Sequence, residues 1–90
     1  MKNQPLTGIK ILDMATVLAA PLRATVSADM GGEVVKLELP DGNDTLRTLA
    51  PVHENHSIFW KTANRGKKGI SLDVRHAVGR DIFLNLIEEF

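Results

Sequence analysis

Apolar positions along this 90-residue chain switch between the period of a strand and the period of a helix. Ile9, Ile11 and Leu12 form a short apolar run, rich in β-branched residues and ending at Asp13, which predicts a strand over residues 9–12. Residues 14–20 read as the loop that follows. Pro21 fits the first turn of a helix, where its missing N–H costs nothing. Leu22, Val26 and Met30 then recur at i, i+4 and i+8, one face of that helix. Gly31 and Gly32 stop it, because glycine takes a left-handed C-terminal cap without a Cβ penalty. Val34, Val35 and Leu37 mark a second strand over residues 34–37. Strand, helix and strand in so short a span define a βαβ unit, which joins parallel strands.

Residues 39–55 read as a loop, with Pro40, Asp41, Gly42, Asn43 and Asp44 as its turn chemistry. A helical turn over 57–63 carries Ile58, Phe59 and Trp60, and a third strand is expected at 69–72. The last helix starts near His76, with Val78, Ile82, Leu86 and Phe90 on one face and Phe83 and Ile87 widening it. So broad an apolar face calls for cover on more than one side. The expected core is Ile9, Ile11, Leu22, Val26, Val34, Val35, Ile82 and Leu86. The chain stops inside this apolar helix, which reads as a truncation; the alternative is a small protein whose last helix docks on a partner subunit. The whole predicts an α/β unit, residues 1–90, with a mostly parallel sheet and flanking helices.

Composition narrows the function classes. The formal net charge is zero, so no general attraction to nucleic acid is expected. There is no cysteine, which excludes a disulfide framework and a Cys-based zinc site. The start of the chain lacks a signal-peptide pattern and no run is long and apolar enough to span a membrane, so a cytoplasmic location is the default expectation.

The first βα loop has no glycine, which argues against ordinary dinucleotide binding even though Glu38 ends the second strand where a ribose-binding acid would sit. By itself Glu38 reads as a solvated strand end. Lys61, Arg65, Lys67, Lys68, Arg75 and Arg80 crowd a stretch whose only acid is Asp73. That stretch reads as an anion-binding segment or as a solvated turn. His53, His56 and His76 do not make a metal set, and the first two read as surface residues. Asp73 is placed to cap the last helix. Asp13, at a strand end, has no assigned role.

Taken in order, several segments resemble class III CoA-transferases, the CaiB/BaiF family. They are Pro5 through Asp13, Ala19-Ala20-Pro21, Ala28 through Glu38, Pro40 through Asp44 with Arg47, Asn64 through Asp73, and Gly79-Arg80. Ala20 stands where the family usually has glycine, Gly32 where it often has alanine, and Leu39 where it sometimes has a basic residue. The resemblance implies a Rossmann-like fold, with the chain as a truncated N-terminal part of a larger interlocked homodimer. It implies CoA transfer between carboxylic acids through a covalent aspartyl intermediate, with the catalytic aspartate beyond Phe90. The substrates would be a CoA thioester and a carboxylic acid, with no metal, nucleic acid or membrane partner. Carried over by position, the CoA-binding residues would be Leu18, Ala19, Leu39, Leu72, Asp73, Val74 and Arg75. Two alternatives share the resemblance: an α-methylacyl-CoA racemase-type enzyme, and a non-catalytic interaction module of the same fold.

Overall fold

The computed structural model describes residues 3–42 and 44–90. Asn43, within the turn-forming stretch 40–44, and the opening residues Met1 and Lys2 lie outside the described residues. In chain order the elements are β1 (Lys10–Asp13), α1 (Ala19–Asp29), β2 (Glu33–Glu38), a 3₁₀ turn (Thr45–Thr48), β3 (Val52–His53), β4 (His56–Ser57), α2 (Ile58–Ala63), β5 (Lys67–Ser71) and α3 (Ala77–Ile87).

The sheet has the order β1-β2-β5 with both pairings parallel. Lys10 faces Glu33 across the first pair, and Val34 faces Lys67 across the second. This is the βαβ arrangement read from the sequence. The centre strand β2 is buried by its neighbours, with Val34, Lys36 and Leu37 all inside. The Leu72 N–H donates to the Glu38 carbonyl at 2.9 Å, carrying the ladder one residue past β5.

Helix α1 corrects one expectation. Leu22, Val26 and Met30 face outward, while Pro21, Ala24 and Thr25 are buried. Both sets sit at helical spacing, so periodicity alone does not choose between them. The small set is inside because it lets the helix backbone approach its neighbours. The Thr25 hydroxyl bonds the Ala63 carbonyl, tying α1 to α2. The helix stops as expected: Gly31 takes φ 98°, and a Cβ there would lie 2.6 Å from the Gln4 Cβ.

The expected core is therefore redrawn. Val34 is buried, and Ile11, Val35 and Leu86 are half-buried, but Ile9, Leu22, Val26 and Ile82 are exposed. Their places are taken by Leu37, Leu46, Ala24 and Ala63, with Leu46 fully enclosed. The stretch 39–55 is also less irregular than expected. It holds the 3₁₀ turn, capped by the Asp44 carboxylate on the Leu46 N–H, and strand β3, which pairs with β4. Glu54 and Asn55, at φ 50° and 64°, make the two-residue turn between those strands, a role usually marked by Asn-Gly. His53 and His56 pair across this hairpin and are exposed.

Helix α3 begins at Ala77, and its N-cap is His76, whose Nδ1 accepts from the Val78 N–H. This corrects the assignment of Asp73 as the cap. The reason is local: the Asp73 carboxylate already accepts the Arg75 N–H at 3.0 Å, closing a turn before the helix starts. Gly79 is the single buried residue of α3. A Cβ at Gly79 would stand 1.9 Å from the Asp73 carbonyl oxygen, so the helix is pressed against the 73–75 turn where no side chain fits. Gly79→Ala is expected to cost about 1–3 kcal/mol or more through overpacking. Urea unfolding measures it, and an unchanged midpoint would show that the turn yields freely.

Candidate functional site

Parallel α/β sheets place ligands beyond the carboxyl ends of their strands, because the loops there diverge and leave a crevice. A cavity of about 210 Å³ opens at that end here. The first βα loop supplies Met14, Ala15 and Thr16. The end of β2 supplies Leu37, Glu38 and Leu39, and Asp44 and Val74 close the remaining sides. Its apolar walls suit a flat, weakly polar group. Glu38 is not a solvated strand end. Arg47 donates Nε and Nη2 to its two oxygens at 2.8 and 2.6 Å, a bidentate pair. The Arg47 guanidinium also lies 4.0 Å from the Trp60 ring centre, so β2, the 3₁₀ turn and α2 are stitched together. Glu38 holds the Arg47 guanidinium above its ordinary range.

Four buried charges that the sequence did not assign form one cluster, and one of them, Asp44, lines the cavity. The side chains of Asp13, Lys36, Asp44 and Lys67 are each at most 3% exposed. Lys67 Nζ donates to Asp13 Oδ2 at 2.7 Å, to the Pro21 carbonyl at 2.8 Å and to Asn64 Oδ1 at 2.8 Å. Lys36 Nζ donates to the Ala15 carbonyl at 3.0 Å and lies 3.6 Å from Asp13 and 3.5 Å from Asp44. Buried ions are tolerated only when paired and hydrogen-bonded, and here two cations face two anions. The cluster joins the end of β1, the first βα loop, the start of α1, β2, the loop before the 3₁₀ turn and the start of β5. One signal was legible. Lys36 sits two residues from Val34 on the same strand face, so an inward Val34 requires an inward lysine and therefore a buried acid.

The residues assigned by resemblance fall in three places. Leu39 and Val74 meet in the cavity wall. Leu72, Asp73 and Arg75 follow β5 beside it, with Leu72 half-buried and Arg75 exposed. Arg75 Nε donates to Asp73 Oδ1 at 3.0 Å and Nη1 donates to Asp41 Oδ2 at 3.0 Å. Arg75 holds the Asp73 carboxyl below the ordinary aspartate range, and Asp73, with Asp41, holds the Arg75 guanidinium above its own. Leu18 is the N-cap of α1 and Ala19 its first residue, after the cavity-lining loop. Ala19 lines a separate shallow groove with Leu22, Arg23 and Val26 on the outer face of α1. Among the described residues no side chain caps α1, and Pro21 brings no N–H, so the N–H groups of its first turn have no side-chain partner there. The basic stretch is not a uniform patch. Lys67 is buried, Arg65 pairs with Asp29 and Lys68 with Glu33.

The fold is an α/β unit built on a parallel βαβ core, with a crevice at the carboxyl end of its sheet. Its sequence matches the profile of CoA-transferase family III over residues 6–89, and the chain belongs to that family. The β subunit of succinyl-CoA–L-malate CoA-transferase from Chloroflexus aurantiacus is 38% identical over 84 residues, covering 92% of this chain and 21% of that protein. Succinyl-CoA:glutarate CoA-transferase from Homo sapiens is 37% identical over 84 residues, covering 92% and 19% respectively. The crystal structure of a CaiB/BaiF family protein from Brucella suis superposes with a TM-score of 0.85 at 34% identity, covering 98% of this chain and 24% of that one. The chain thus spans about a fifth to a quarter of the length of these relatives.

Proposed function

We propose that residues 1–90 form the CoA-binding N-terminal segment of an enzyme that transfers CoA between two carboxylic acids. The observation that carries the reading is the cavity at the carboxyl end of the sheet, walled by Leu39 and Val74, in a chain of this family. Leu37, Leu39 and Val74 offer apolar surface to a flat base. The uncapped first turn of α1 offers positive charge to phosphates, and the exposed Arg75 would join it by exchanging its Asp41 partner for a phosphate oxygen. In this reading the nucleophile is an aspartate outside these residues. It attacks the thioester carbonyl and divides one exchange into easier acyl transfers. The aspartates near the cavity are already engaged: Asp13 and Asp44 are buried in the charge cluster, and Asp41 and Asp73 hold Arg75. The complete enzyme would be a homodimer, which gives the exposed apolar faces of α1 and α3 something to cover them.

Calorimetric titration with CoA tests the reading in the full polypeptide that carries this segment. Arg75→Gln should weaken CoA binding about tenfold and flatten its salt dependence, since a charge-assisted phosphate contact is lost. Residues 1–90 alone should show no CoA transfer. Undiminished affinity in Arg75→Gln would remove Arg75 from the site. Turnover by the pure 90-residue chain would place the nucleophile inside it.

A further inference from the structure

Val17 is a β-branched residue in left-handed backbone, at φ 65°. Branched side chains avoid that region, and such strain persists only where the surroundings impose it. Here the surroundings can be named. The Val17 N–H donates to Asp44 Oδ1 at 2.9 Å, across 27 residues of chain. The same oxygen accepts the Leu46 N–H at 3.1 Å. The other oxygen, Oδ2, is buried, has no hydrogen-bond donor among the described residues and faces Lys36 Nζ at 3.5 Å. Lys36 in turn holds the Ala15 carbonyl, two residues before Val17. Ala15 and Asp44 both border the cavity.

We propose that Asp44 is a positioning residue for CoA binding, fixing the strained 14–17 loop through the Val17 N–H so that this cavity wall is set before the ligand arrives. The proposal rests on the CoA-binding reading above. Its physical content is preorganisation: a loop already held in shape loses little freedom when a ligand docks on it. Asp44 suits the task because its backbone belongs to the loop after β2. One carboxylate therefore registers that loop against the loop after β1, and both supply walls of the same cavity. A carboxylate whose only task was to neutralise Lys36 would not need the Val17 N–H at all.

Asp44→Asn and Asp44→Ala separate the two roles in the full polypeptide that carries the segment. Asparagine keeps the acceptor that Val17 and Leu46 share and removes the charge facing Lys36; alanine removes the charge and the acceptor, the cap on Leu46 included, so the Val17 amide is the specific readout. Amide hydrogen exchange reads the clamp without ligand, and calorimetry with CoA reads its consequence. Asp44→Ala should speed exchange of the Val17 amide and weaken CoA binding, each by at least about tenfold, the scale of one lost charge-assisted bond. Asp44→Asn should keep the Val17 protection and hold CoA affinity within about threefold, because the acceptor remains. Equal losses in the two variants would assign Asp44 to charge balance and overturn the proposal, as would a Val17 amide that stays protected in Asp44→Ala. Should Asp44→Ala fail to fold, Asp44→Asn decides alone: retained protection and affinity support the clamp, and loss of both overturns it. A wild-type protein that does not bind CoA overturns the functional reading and the ligand half of this proposal, while the exchange result still decides whether Asp44 holds the loop.

Discussion

Replacing Lys67 by methionine should cost about 3–5 kcal/mol, the usual result of removing one partner from a buried ion pair. The Lys67 ammonium is enclosed by Asp13 Oδ2, the Pro21 carbonyl and Asn64 Oδ1, all within 2.8 Å. Methionine fills similar space but donates nothing, so three acceptors lose a donor together, the buried Asp13 carboxylate foremost; the Pro21 carbonyl keeps the Thr25 hydroxyl. Asp13 would retain the Ala15 N–H at 3.0 Å and the more distant Lys36 at 3.6 Å. In the full polypeptide that carries this segment, a loss of that size should appear as a clearly lower urea midpoint. The paired change Lys67→Met with Asp13→Asn should recover part of the loss, since it removes the uncompensated charge. Urea denaturation of the three proteins measures this. A Lys67→Met variant within about 1 kcal/mol of wild type would show that water or repacking satisfies Asp13.

Residues 1–90 in isolation should associate, or should fray at α3. Val78, Ile82, Leu84 and Ile87 are exposed along that helix, Val78 at 62% and Ile82 at 50%. On α1, Leu22, Val26 and Met30 are exposed as well. Covering even two such side chains is worth about 3–6 kcal/mol, comparable with the stability of so small a unit. Little within the segment holds α3 down beyond Gly79 against the 73–75 turn and the half-buried Phe83 and Leu86. Sedimentation velocity should therefore show concentration-dependent association, and amide exchange should show weak protection over residues 82–87. A monomer with well-protected amides there would mean that the helix is stable without cover.

The wide apolar face of α3 was legible in the sequence, but its exposure was not. Periodicity reports which residues share a face and says nothing about what lies opposite. The same limit explains α1. Leu22, Val26 and Met30 and the set Pro21, Ala24 and Thr25 are both spaced for a helix face, and the larger residues were expected inside. Close approach of α1 to the sheet and to α2 favoured the small set, a decision made by the neighbours. Among the assigned site residues, Leu39 and Val74 come together in one wall, while Leu18 and Ala19 stand apart at the start of α1. The charge cluster was missed because its members are far apart in sequence: Asp13 and Lys67 are 54 positions from one another.

By itself the sequence determined the βαβ order, the parallel sheet, the glycine stop of α1 and the family. These rest on local signals, namely β-branched runs, helical spacing, a left-handed cap and ordered blocks of residue types, each readable within a few positions. Only the tertiary structure decided which face of α1 is inside, that Asp13, Lys36, Asp44 and Lys67 share one buried cluster, and that Val17 is held in left-handed backbone. These depend on which distant groups meet. Burial turns a lysine from a solvated residue into one that must find an acid, and no local pattern names the acid it finds.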